Sequence, residues 1–158
     1  MSIEQEVEIL RKIPLFSNVD PAKLKLMCFA SERLTFKEGQ PLFEQGEPGD
    51  SAYIIVEGSA NVIVNNDGPV VVAEVGKNDI VGEIAILCDV PRTATIKPTS
   101  ELTALRVTKD LFFRMITDFP EMGVEIMRVL AQRLENTTAQ LLRARAAQTG
   151  AGNGKTGA

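Results

Sequence analysis

Gly82-Glu83-Ile84-Ala85-Ile86-Leu87-Cys88-Asp89-Val90-Pro91-Arg92-Thr93-Ala94-Thr95 is the stretch from which the rest of the chain can be read. It opens with a glycine and a carboxylate that can begin a single helical turn. It closes on a lone arginine beside small residues. Backbone N–H groups at the start of a helical turn attract anions. An arginine adds a planar set of donors suited to phosphate oxygens. A carboxylate would repel a bare phosphate, so Glu83 serves another part of a ligand, and a sugar hydroxyl is a suitable donor to it. Phosphate at one end and ribose at the other describe a nucleotide.

Taken singly, these residues have plainer readings. Arg92 can sit in a surface ion pair, and Glu83 can stabilise a helix dipole. Ala85 and Ala94 can be ordinary core residues, and Thr93 a β-branched residue in a strand. The spacing of the set is what distinguishes it. Gly82, Glu83, Ala85, Pro91, Arg92 and Ala94 match, without insertion, the pattern Gly-Glu-x-Ala-x-x-x-x-x-Pro-Arg-x-Ala. Upstream, Phe43, Gly46, Glu47, Gly49, Asp50, Tyr53, Ile55 and Gly58 match Phe-x-x-Gly-Glu-x-Gly-Asp-x-x-Tyr-x-Ile-x-x-Gly. On these two motifs the chain resembles the cyclic nucleotide-binding domains over roughly residues 13–145, with 82–95 as the phosphate-binding cassette.

The resemblance implies a mainly β fold with flanking helices: a jelly-roll β-barrel preceded by N-terminal helices and followed by a long C-terminal helix. It implies that Glu83 holds a ribose 2′-hydroxyl and Arg92 a cyclic phosphate. The expected phosphate and ribose site comprises Gly82, Glu83, Ile84, Ala85, Arg92, Thr93 and Ala94. Thr93 can bond a phosphate oxygen or reach a purine held over it, which leaves the base undecided. Residues 130–138, Leu-Ala-Gln-Arg-Leu-Glu-Asn-Thr-Thr, resemble the central helix of the catabolite activator branch of the family. That resemblance implies base contacts from Arg133, Thr137 and Thr138, and cAMP as the ligand with cGMP the second candidate.

The remaining sequence agrees with this class. A length of 158 residues with 44% hydrophobic content suits one domain with a sizeable core. A net charge of −4 argues against a general nucleic-acid binder. The chain contains no histidine, so histidine-based triads and metal sites are excluded; no catalytic residue, metal or cofactor is expected. The acidic N-terminus does not read as a signal peptide, and no apolar run is long enough to span a bilayer. Cys28 and Cys88 lack metal-type spacing, which suits free thiols in a reducing cytoplasm.

Residues 1–33 read as an N-terminal helical segment, with Asp20-Pro21 as a cap and first helical position, and Leu24, Met27 and Cys28 as the buried face. Residues 34–107 read as the barrel, short apolar runs punctuated by turns, with Asn66-Asp67-Gly68 as a hairpin tip between Ala60–Val64 and Val70–Val75. Residues 108–147 read as helices, one capped by Thr108 and one opened by Pro120. Residues 148–158 read as a disordered tail. Its Gly-Asn-Gly-Lys-Thr lacks the strand and helix that a P-loop requires. The long helix carries Gly123, Met127, Leu130, Leu134, Thr137, Leu141 and Ala144 at heptad spacing, the pattern of a homodimer seam or of a helix packed on its own barrel.

About ten residues follow that helix, so no DNA-binding domain, and no direct DNA or membrane contact, is expected of this sequence. The leading expectation is a stand-alone cyclic nucleotide receptor that passes its signal to a downstream protein by movement of the long helix. An interaction module with an unused pocket is the alternative.

Overall fold

The computed structural model describes residues 2–156, with side chains through Thr149. The chain divides into two compact units, Met1–Met122 and Gly123–Ala158.

In the first unit, helix α1 (Ile3–Arg11) starts on a capping box in which the Ser2 hydroxyl accepts from the Gln5 amide and the Gln5 side chain accepts from the Ser2 amide. Proline at 14 ends the helical run in a short 3-10 turn, Pro14–Phe16. Helix α2 (Pro21–Ala30) follows, with the Asp20 carboxylate accepting from the Ala22 amide at 2.9 Å. Leu24, Met27 and Cys28 are its buried residues, the same three that the sequence selects.

Seven strands follow among the described residues: β1 (Glu32–Phe36), β2 (Ser51–Glu57), β3 (Ser59–Asn65), β4 (Pro69–Gly76), β5 (Ile80–Val81), β6 (Thr95–Pro98) and β7 (Leu102–Thr108). They form two antiparallel sheets, ordered β1-β7-β2-β5 and β4-β3-β6. Phe36, Tyr53, Ile55, Leu102 and Ala104 from the first sheet share one core with Ala60 and Ile96 from the second and with Leu42 and Phe43 from the β1–β2 loop. The β3–β4 hairpin turns at Asp67 and Gly68, both with positive φ, where the turn residues place it.

The strands do not close into a barrel. Closure needs ladders on every strand edge. Here β5 has only two residues, β6 ends at Pro98, and the β1–β2 loop reaches β6 through a single isolated bridge, Phe43 to Ile96. The result is two packed sheets with flanking helices. Strand β2 is buried along six of its seven residues, because the helices at Glu83–Cys88 and Lys109–Asp118 lie against it as well as the core. This explains its unbroken apolar run.

Helix α3 (Glu83–Cys88) leaves β5, and helix α4 (Lys109–Asp118) leaves β7 on a Thr108 cap. Helix α5 runs Pro120–Thr156, past the Ala147 at which the sequence reading stops and into the segment it reads as tail. No helix among the described residues is long and apolar enough to cross a membrane. No cluster of three or more His, Cys, Asp or Glu side chains that could hold a metal ion occurs among them.

Candidate functional site

The cassette is held between the β1–β2 loop and strand β2. Gly82 is the N-cap of α3 at φ +84°, in the left-handed region that favours glycine. A Cβ there would lie 2.6 Å from Arg92 Nη1 and 3.1 Å from a ring carbon of Phe43. Glycine is therefore required twice, for the backbone and for the space. Glu83, the first helical residue, is 1% exposed, a buried carboxylate at the start of the turn. Ala85 is buried, and a side chain on Gly49 would collide with its Cβ. Cassette and loop thus meet through two of the smallest residues. Ile84, by contrast, is 40% exposed.

Arg92 is the centre of the arrangement and is only 4% exposed. Its backbone is clamped to the loop: its amide donates to the Glu47 carbonyl at 2.8 Å, and its carbonyl accepts from the Gly46 amide at 2.8 Å. Its side chain donates from Nη1 to the Gly82 carbonyl at 3.0 Å and from Nη2 to the Ser51 hydroxyl at 3.4 Å. Asp50 lies 3.9 Å from Nη2 and is itself paired with Arg106 at 3.1 Å. The guanidinium carbon sits 4.0 Å from the centroid of the Phe43 ring. Nε is buried with no hydrogen-bond partner among the described residues. Burial lowers the Arg92 pKa, opposed by Tyr53, Asp50 and Glu47; the group remains a cation at neutral pH.

Thr93 is exposed and Ala94 is buried, so the two residues after the arginine alternate outward and inward. Gly82 meets Arg92, Ala85 and Arg92 both border Gly49, and Glu83 and Ala94 are buried beside them in sequence; the guanidinium also has partners that the motif match did not single out as a site. Phe43, Asp50 and Ser51 touch the guanidinium directly. Phe43 and Asp50 stand in the upstream motif, where they read as marks of the fold. Ser51 had no signal beyond its place after Asp50.

The residues expected at the base lie in the second unit. Thr137 donates its hydroxyl to the Arg133 carbonyl at 2.9 Å, and Thr137 and Thr138 are exposed on α5.

A family model described as the cyclic nucleotide-binding domain matches residues 33–119, more than half of the chain. A CRP-like cAMP-activated global transcriptional regulator of Mycobacterium tuberculosis is 30% identical over 136 residues, covering 85% of this chain and 61% of that protein. The chain therefore spans less than two thirds of that relative's length. Among solved structures, the regulatory subunit of a cAMP-independent protein kinase A from Trypanosoma brucei is similar at TM-score 0.71 and 27% identity, covering 82% of this chain and 47% of that one. The N-terminal domain of a transcriptional regulator from Streptomyces coelicolor is similar at TM-score 0.63 and 30% identity, covering 82% of this chain and 94% of that one. With both sequence motifs inside the matched span and the fold shared, the chain belongs to the cyclic nucleotide-binding domain family.

Proposed function

We propose that the chain is a cyclic nucleotide receptor with a regulatory output, taking cAMP in preference to cGMP. The observation that carries the reading is the buried guanidinium of Arg92 with its unpartnered Nε. A buried cation with donors left over is costly unless an anion takes them. A cyclic phosphate offers one charge and two exocyclic oxygens to a planar fork of donors. Glu83 would accept from the ribose 2′-hydroxyl, and the first amides of α3, at Ile84 and Ala85, are among the donors that a helix start leaves without intrahelical partners. Thr93 and Ala94 complete the phosphate edge.

The preference for adenine is supported by Thr137. Its hydroxyl hydrogen is committed to the Arg133 carbonyl, so its oxygen is left as an acceptor. Adenine presents an amino donor where guanine presents a carbonyl acceptor. Thr138 and Arg133 would add to this contact. The relatives differ on this point in their own names, one being cAMP-activated and one cAMP-independent. The shared fold by itself therefore does not fix the ligand. Binding would favour one arrangement of α5 by differential affinity, a population shift passed to a downstream protein. Met127, Leu134 and Leu141, exposed on α5, support a second copy as a further partner.

Calorimetric competition between cAMP and cGMP tests the preference. The expected result is tighter binding of cAMP, weakened about 2- to 10-fold by Thr137→Ala, with cGMP binding unaffected. Equal affinities, or a Thr137→Ala variant that binds cAMP as the wild type does, would overturn it.

A further inference from the structure

Arg92 must present its donors in one plane while buried, yet its hydrogen bonds to the protein are few. Among the described residues, the Gly82 carbonyl and the Ser51 hydroxyl accept from its side chain at hydrogen-bond distance. What covers a face of the group is an aromatic ring: Phe43 lies with its centroid 4.0 Å from the guanidinium carbon. The ring is itself fixed. Its backbone is bridged to Ile96 of β6, with the Phe43 carbonyl accepting from the Ile96 amide at 3.2 Å. It packs on Tyr53 at 5.9 Å between centroids, and Tyr53 packs on Phe36 at 6.1 Å. Gly82 leaves room beside it, since any side chain there would press on Phe43 and Arg92 together.

We propose that Phe43 is a positioning residue for ligand binding: its ring holds the Arg92 guanidinium flat so that the in-plane donors stay available to the phosphate. An aromatic face attracts a cation without consuming a donor. A carboxylate in the same place would neutralise the charge, and a carboxylate or a carbonyl would occupy N–H groups that the ligand needs. Packing alone is the simpler role for a core phenylalanine, and the two roles part on coupling. A ring that only fills space acts whatever stands at position 92, whereas a ring that orients a cation acts only while the cation is present.

The inference rests on the cyclic nucleotide reading, and a double-mutant cycle keeps the two separate. Binding of cAMP is measured by calorimetry for the wild type, Phe43→Leu, Arg92→Gln and the double variant, with urea unfolding of each to confirm the fold. The expected result is a loss of roughly 2- to 30-fold for Phe43→Leu in the wild-type background and a much smaller loss in the Arg92→Gln background. Equal losses in both backgrounds, or a folded Phe43→Leu variant with wild-type affinity, would overturn the positioning role while leaving the receptor reading intact. A wild type that binds no cyclic nucleotide would overturn both.

Discussion

The chemistry of the chain turns on single positions where ordinary side chains do not fit. Gly82 is one of them, and it borders Arg92. With φ at +84° and Arg92 Nη1 2.6 Å from where a Cβ would stand, Gly82→Ala must strain the backbone and displace the guanidinium together. We expect a loss of about 1–3 kcal/mol in urea unfolding, accompanied by weaker nucleotide binding; an alanine variant with wild-type stability would contradict the geometry. The two thiols make a second contrast. Burial, and then the Glu6 carboxylate, push the Cys28 thiol up from 9.0 to about 11, while Cys88 is exposed on the cassette helix. A raised pKa favours the protonated thiol in the folded state, so its contribution to stability is complete below about pH 9 and is lost as pH rises toward about 11. At pH 8 a thiol reagent should label Cys88 rapidly and Cys28 at least about 100-fold more slowly, with both reacting in denaturant. Equal labelling in the native protein would contradict the burial of Cys28.

At the level of elements, helix starts were legible because their chemistry is local. Asp20-Pro21 and Thr108 carry their caps in adjacent residues, and both helices begin where those residues stand. Asp20→Ala should cost about 1 kcal/mol in urea unfolding, and an unchanged midpoint would remove the cap from the account. The β3–β4 hairpin was legible for the same reason, its tip being three turn residues in a row. Closure of the sheets was not legible. It depends on how strand edges meet across the molecule, and the two-residue β5 and the proline-ended β6 become informative only once their neighbours are known. The end of α5 also lay beyond the sequence reading. Glycine and alanine after Thr149 carry no apolar period, so periodicity had nothing to report on a helix described as far as Thr156. The cassette spacing named Arg92, but its setting between Phe43, Ser51 and Asp50 joins residues 41 to 49 positions apart, which no local pattern records.

At the scale of the whole chain, Arg92 is a buried cation and α5 carries exposed apolar positions. If Met127, Leu134 and Leu141 form a seam between two copies, sedimentation should show a dimer that Leu134→Glu converts to a monomer. A wild type that sediments as a monomer at high concentration would leave those residues to a different partner. The proposed binding of a cyclic nucleotide's phosphate by Arg92 does not depend on that outcome, and titrating cAMP by calorimetry into the wild type and Arg92→Gln tests it. The expected result is saturable binding at one site per chain in the wild type and an affinity weaker by about 10- to 150-fold, or about 1.5–3 kcal/mol, in the variant. No binding by the wild type at millimolar cAMP, or equal binding by a folded Arg92→Gln protein, would contradict it.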